Sequence, residues 1–543
     1  MPIIKTDNDD LGIAVCKRQM KLEGNRSNWE QYWDELAKYF VPKKDNIFGA
    51  NTRGTVTEDF LFDNTSVHVN ELLASALHGM LTNPASTWFG FGTGIESIDS
   101  DDDVQKWFQE TAYRQIQILN NSNFQTQVHE YYLDIGSFGT GTMKVESDDK
   151  NILSFESRPI YEFYVAENSR GEVDTIYRCF KYTLKQIIEK FGEENVDQET
   201  RDAFKENPDG QEEIIHAIEP RIIQEIDPNI PMRMPFRSVY VLKKTKKVLS
   251  ESGFKENPYV VARWSKISGE TYGRSPAMKS LSDVKMLNAM MKVVIQAGQI
   301  SVAPPVQVPD DGVILPIKMN PLGTNFYRAG SKDRIEPINM NARPDIGLDM
   351  MNDVRMRIRQ AFFIDQLQLG EDNPQMTATE VMQRTEEKLR LMSPVMGRQH
   401  HEFLEPLVER SFRMSFEAGQ FEEMPAKLAD ALGDRRAKLQ VKYVSQIAKA
   451  QRTGEADAFT RFYGVIAPVL EGQPESAQVL NGEELIRRLA PILGVHNSVV
   501  RDRKEMKAMR EAEAQQAEQQ QALDQGEQAA NIQQKVGPEQ AQG

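Results

Sequence analysis

The chain has 543 residues, a formal net charge of −15 and an apolar fraction of 40%, which suffices for several domains with genuine cores. That acidic balance excludes a generic DNA-coating protein, which would be basic overall, while leaving room for local basic contacts. Two cysteines, Cys16 and Cys179, stand in no metal-like or paired spacing, no stretch reaches the ~18 apolar residues of a membrane span, and Met1–Asp10 lacks the apolar run of a signal peptide; the expectation is a reduced protein of the cytosol or of a particle assembled there.

Residues 11–42 read as one helix or a helix pair. Ser27-Asn-Trp-Glu30 has the capping-box pattern, Trp29, Trp33, Leu36, Ala37 and Phe40 make an apolar face, and Pro42 ends it. A second helix is predicted over 65–82, with Val69, Leu72, Leu73, Ala76, Leu77 and Met80 inward and Asn83-Pro84 as its stop. A short aromatic strand follows at 87–91. The acidic cluster Asp99, Asp101, Asp102 and Asp103 precedes a helix through Trp107, Phe108 and Ile116, and another helix runs from Phe124 to Ile135, ending at Gly136.

From 140 to 182 the pattern changes to strands and turns, with 143–146 alternating, a strand at 162–165 and a turn at 169–171. A small helix covers 184–191, and 205–212 breaks structure. Strands return at 214–218 and 239–242, again after the hairpin tip at 243–247, and at 258–263. Gly269-Glu-Thr-Tyr-Gly-Arg-Ser-Pro276 then places Ser275 as an N-cap and Pro276 at the first helical position. The helix it starts runs to about Gln299, with Leu281, Val284, Leu287, Met291, Val294 and Ile295 on one stripe.

Residues 302–337 read as a Pro- and Gly-dense β-and-loop insert. A helix begins at 343–344, with Ile346, Met350, Met351, Val354, Ile358, Ala361 and Phe362 inward. Its Asp residues lie in the first half and its Arg residues in the second, as the helix dipole favours. A loop spans 365–376. Thr377-Ala-Thr-Glu380 opens a long helical region to about 418, with breaks expected at Pro394 and Pro406. Residues 425–510 read as wholly helical. The tail from Glu511 is rich in Gln, Ala and Glu; it begins as helix at best and ends disordered. The fold class is α+β, predominantly α-helical.

Chemical motifs are weak. Gly136-Ser-Phe-Gly-Thr-Gly141 enters a strand rather than a helix and lacks a following Lys-Ser or Lys-Thr, so it reads as a tight turn, and no P-loop occurs. His401 and Glu405 lie four apart, without the second His of a zinc-protease pattern. Asp99–Asp103 lacks the Gly and spaced Glu of a calcium loop. Lys243, Lys244, Lys246 and Lys247 either solvate a hairpin tip or touch DNA or an acidic partner. Met278, Lys285, Lys292 and Gln299 recur every seven residues; that face is plain solvent surface, or it is presented to a DNA channel or a neighbouring subunit. Catalytic, metal and cofactor sites are each read as none.

The segment ending Thr82-Asn-Pro-Ala-Ser-Thr-Trp-Phe89, the Phe138-Gly-Thr-Gly-Thr-Met-Lys-Val145 turn, Gly269–Pro276 with its helix, the Thr377-x-x-Glu380 helix with Pro394, and Glu405-Pro-Leu-Val-Glu-Arg410 resemble, in order and spacing, the head-to-tail connector (portal) proteins of short-tailed double-stranded-DNA bacteriophages. The resemblance implies a homo-oligomeric ring, usually of twelve copies, at one capsid vertex of the virion, assembled in the host cytoplasm. It maps 1–272 as wing, 273–300 and 343–364 as a two-helix stem, 301–342 as clip and 365–376 as a channel-facing tunnel loop carrying Asp365, Gln366, Gln368, Gly370, Glu371, Asn373 and Pro374. Residues 377–420 become a long kinked wing-to-crown helix, 421–510 a helical crown and 511–543 the tail. It implies no catalysis and no membrane. The partners it implies are the terminase large subunit, tail adaptor proteins, major capsid and scaffolding proteins, and duplex DNA in transit.

Leu281, Val284, Leu287, Met291, Val294, Met350, Val354 and Ile358 are the expected stem interface, their apolar stripes finding partners in adjacent copies. Competing readings are a virion scaffolding or tail-adaptor protein, and a metal-dependent hydrolase.

Overall fold

A computed structural model describes residues 8–44, 60–302 except 149, 223–225 and 228–229, then 306–307, 330, 336–337, 344–367, 392–433, 438–443 and scattered residues from 461 to 520. The elements in chain order are α1 (Asn8–Phe40), α2 (Thr65–Leu81), β1 (Phe89–Gly92), α3 (Glu96–Asp99), α4 (Asp102–Asn121), α5 (Phe124–Phe138), β2 (Thr140–Asp148), β3 (Ile152–Arg158), β4 (Phe163–Glu167), β5 (Val173–Thr183), α6 (Leu184–Phe191), α7 (Gln198–Glu206), β6 (Gln211–Pro220), β7 (Phe236–Leu242), β8 (Val248–Phe254) and β9 (Tyr259–Arg263). The long helix α8 (Pro276–Val302) follows, then β10 (Val306–Gln307), β11 (Glu336–Pro337), α9 (Pro344–Ala361), α10 (Ile364–Leu367), α11 (Glu405–Glu417), α12 (Ala426–Gly433) and β12 (Gln440–Tyr443). No described helix is long and apolar enough to cross a membrane.

The chain divides into two compact units, neither contiguous. One holds residues 1–85 and 117–418, the other 86–116 and 419–543. Residues 86–116, expected within a continuous wing, therefore fold with the C-terminal segment.

In the first unit an antiparallel sheet of order β4-β5-β6-β7-β8 alternates its side chains between two buried faces. Tyr164, Tyr177, Ile215, Ala217, Val239 and Val241 pack against Leu11, Val15, Cys16 and Leu22 of α1. On the other face Phe180, Ile214, Leu242 and Leu249 meet Leu184, Ile187 and Phe191 of α6. A second antiparallel sheet has the order β3-β2-β9.

Several expected boundaries move, each for a local reason. Ser27 does not cap a helix: α1 runs unbroken through it, and the Ser27 hydroxyl donates back to the Gly24 carbonyl at 3.1 Å. The expected inward residues Trp33, Leu36, Ala37 and Phe40 are buried, and the chain leaves through a 3₁₀ turn at Pro42–Lys44. Gly136 does not end α5. The helix continues to Phe138 and stops at Gly139, whose φ of 77° closes it with an N–H bond to the Ile135 carbonyl at 3.0 Å. Gly136 instead lets α2 approach, because a Cβ there would collide with the Asn70 side chain.

Near Pro406 the helix is disturbed one turn early. Residues 392–399 are α-helical, His400–Leu404 form a π turn, and α11 follows. Proline cannot bond the carbonyl four residues back and its ring clashes there, so the wider turn absorbs the conflict. The capping box at 377–380 lies outside the described residues.

In the second unit β1 pairs antiparallel with β12, Phe89 opposite Tyr443 and Gly92 opposite Gln440. A strand at 440–443 corrects the expectation that 425–510 is helical throughout. Trp107 Nε1 donates to the Glu422 carbonyl at 3.1 Å, and Phe89, Phe91, Val104 and Leu428 are buried. Residues 505–517 are helical and mostly exposed, so the tail starts as helix; most of 511–543 lies outside the described residues.

Candidate functional site

The base of α8 is fixed by two glycines that cross. Gly139, at the end of α5, and Gly273, in the turn before α8, lie so close that a Cβ on either would strike the other's carbonyl. Gly273 N–H donates to Thr140 Oγ1 at 2.8 Å, and Trp264 N–H to the Gly139 carbonyl at 2.9 Å. Ser275 caps α8 as expected: Met278 N–H donates to its Oγ at 3.0 Å, and that hydroxyl donates to the Ser137 carbonyl at 2.8 Å. Tyr272 packs against Trp29 and Trp33 with ring centroids at 5.7 and 5.1 Å, and the Arg274 guanidinium lies 4.5 Å from the Trp29 centroid. Two motifs that read separately in sequence, at 136–141 and 269–276, thus form one joint.

A buried ion cluster braces that joint. Arg263, at the end of β9 and 3% exposed, donates from Nε and Nη2 to the two Glu402 oxygens at 3.0 and 2.9 Å, and pairs with Glu167. Arg398 reaches Glu402 Oε1 at 2.7 Å. Burial pulls the Arg263 guanidinium down, but Glu402 and Glu167 outweigh it and hold it above the usual range. Gln399 Nε2 donates to the Arg263 carbonyl at 2.9 Å and Gln399 Oε1 accepts from Tyr131 at 2.8 Å. Phe403 stacks on Tyr131 at 3.8 Å. The π turn and the residue before it therefore hold β9 and α5 together. Sequence reading missed this cluster, because its members come from distant segments with no shared motif.

Helices α8 and α9 pack along each other. Gly347 is bare where Val294 Cγ2 would stand 3.0 Å from a Cβ, and Arg357 pairs with Asp283 at 3.7 Å. Asp63 accepts from Arg355 at 2.7 and 3.1 Å and from Thr65 N–H at 2.9 Å, tying α9 to the start of α2. Burial raises the Asp63 carboxyl, but the Thr65 and Arg355 bonds outweigh it and keep it below the ordinary carboxylate range.

The expected stem-interface residues split. Leu281, Val284 and Leu287 of α8, with Val354 and Ile358 of α9, are buried within their own chain. These residues are thus satisfied within the chain, against the expectation that the stripes find their partners in adjacent copies: α8 lies on α1, α2 and α5, and α9 lies on α2. Met291 and Val294 are half-buried and Met350 is exposed. Exposed apolar side chains on the two helices include Met286, Val293, Ile295, Val302, Leu348 and Met356.

The seven-residue face is mostly occupied at its lower end. Met278 is buried, Lys285 pairs with Glu35, and Lys292 Nζ lies 5.8 Å from the Phe62 ring centroid, while Gln299 is exposed. Asn288 bonds the backbone at Phe60 and Phe62 at 3.0 and 2.7 Å. Of the expected tunnel loop, Asp365 and Gln366 lie in the helical turn α10 rather than in a loop; Gln368, Gly370, Glu371, Asn373 and Pro374 lie outside the described residues. The clip segment is described mainly by the antiparallel pair β10 and β11.

Several of the other candidates resolve into ordinary pairs. Lys243 meets Glu213 at 3.0 Å and Lys244 meets Glu199 at 2.7 Å. Asp99 accepts from Thr93 Oγ1 at 2.6 Å and Lys442 at 2.7 Å, and Asp101 from Lys427 at 3.0 Å. His401 and Glu405 form an exposed pair at 2.9 Å. Among the described residues no group of three or more His, Cys, Asp or Glu is placed to hold a metal ion.

Comparison with known proteins covers nearly the whole chain. The sequence profile of the family described as bacteriophage head to tail connecting protein matches residues 14–500. A protein named probable portal protein of Bordetella phage BPP-1 is 29% identical over 523 residues, 94% of this chain and 92% of its own. A portal protein of Salmonella phage epsilon15 is 27% identical over 527 residues, 95% of this chain and 93% of its own.

Proposed function

The chain belongs to the bacteriophage head to tail connecting proteins, and on that premise we propose that it is the portal subunit whose copies close into a ring at one capsid vertex. DNA enters and leaves the head through that ring, which first docks the packaging terminase and then the tail. The role is structural. The observation that carries the reading is the α8–α9 hairpin: an antiparallel pair anchored at its base by the Gly139–Gly273 crossing, exposed along its upper part, and bearing a long insert at its tip. Such an element suits the stem of a ring, with 301–342 as its clip and 421–510 as its crown.

The net charge of −15 recurs in every copy. An acidic wall repels DNA phosphates within about 8 Å at physiological salt, so a duplex passes without adhering. Tight, salt-sensitive binding of short duplex DNA by the assembled ring would contradict this.

Negative-stain microscopy of the purified protein tests the reading. The expected result is rings with a central hole, usually of twelve copies; a folded monomer at every concentration and salt would refute it. Removing residues 368–376 should leave rings intact but impair DNA retention, and normal retention would overturn the tunnel-loop assignment.

A further inference from the structure

Cyclic symmetry carries each point of one copy to the same height in the next. For helices that run along the ring axis, a lateral contact therefore joins residues that are level with one another. Helices α8 and α9 are antiparallel, and two contacts set their register: Val294 beside Gly347, and Asp283 with Arg357. In that register Lys292 is level with Asp349, Val293 with Leu348, and Met286 with Met356, each to within about one residue, or ~1.5 Å of helical rise. All six are exposed in the single chain. At one level the charges are opposite; at the other two, both helices present an apolar side chain.

We propose that the side of α8 bearing Met286, Lys292 and Val293 docks on the side of α9 bearing Leu348, Asp349 and Met356 of a second copy of this chain. The contact is heterologous, so each copy uses one side in each direction and the ring closes. The complementarity of residues that share a level, Lys292 with Asp349 and apolar with apolar, is what favours a second copy of this chain as the partner. Opposite charges at one level fix the register, while the apolar pairs lose water. This inference rests on the ring reading above.

The test uses full-length protein and three variants: Lys292→Glu, Asp349→Lys, and the double exchange. Assembly is followed by sedimentation and native mass measurement against concentration, and folding by thermal melting. Each single reversal should raise the half-assembly concentration by about fivefold or more per contact, with unchanged melting, and more strongly at low salt. The double exchange should restore assembly. Singles that assemble like the unmodified protein, or a double that does not recover, overturn the proposal. Should a reversal unfold the monomer, Val293→Ser at the exposed neighbouring position gives the same readout, and unchanged assembly there also overturns it. Absence of rings from the unmodified protein would overturn the ring reading itself.

Discussion

The lower and upper parts of α8 obey different rules, although one helix contains both. From Pro276 to Leu287 all its apolar residues but Met286 are buried within the chain; Leu287 is 2% exposed. Beyond Asn288 the burial ends, and Val293 and Val302 are 62% and 88% exposed. A continuous helix with one buried and one bare end is a cantilever. Its foundation is a matter of folding, and its free length adds little to the fold of the single chain.

Changes at the foundation should be costly, and changes along the free length should not. Replacing Arg263 by Met leaves the half-buried Glu402 and Glu167 with only Arg398 and Lys266 as partners and should cost about 3 kcal/mol of unfolding free energy, read by denaturant melts. Leu287→Ala should cost about 2–5 kcal/mol through the cavity it leaves. Gly273→Ala forces a methyl against the Gly139 carbonyl, and a loss of about 1–3 kcal/mol is expected, with the helix displaced at its start.

Acid should weaken the five-stranded sheet, away from either half of α8. His216 is buried against Tyr240, Tyr259 and Ser238, and burial first, then Lys144, Arg178 and Lys190, hold its pKa well below the ordinary value. The unfolded chain binds that proton near pH 6.5 and the folded chain does not. Stability is therefore full above about pH 6.5 and falls by about 1.4 kcal/mol per unit below it, until the folded histidine titrates. His216→Gln should flatten that slope between pH 6.5 and 5. The smallest expected effect is Val293→Ala: under ~0.5 kcal/mol on the monomer. Equal losses at Leu287 and Val293 would erase the distinction between the two halves.

Local chemistry made much of this legible. Ser275-Pro276 announces a helix start, and the stripe from Leu281 to Leu287 announces its buried face, because both signals lie within a few residues. The same local grammar misled at Ser27, where a capping pattern sits inside a helix held by packing on both sides. It also misled at Gly136, a residue present for close approach to α2 rather than for termination. Arg263 with Glu402, Gly139 with Gly273, and Phe89 with Tyr443 were illegible for one reason: each is a pairing across a long stretch of sequence, and neither partner carries a mark of the other. The stem stripes were read correctly as apolar, but sequence alone could not say that half of them are satisfied at home.

The pairing of Phe89–Gly92 with Gln440–Tyr443 bears on how the protein is made. Its first strand leaves the ribosome roughly 350 residues before its partner, so this strand pair cannot form until residue 443 has emerged. Until then Phe89–Gly92 has no β12 to pair with, and any product that stops short of residue 440 never gains it.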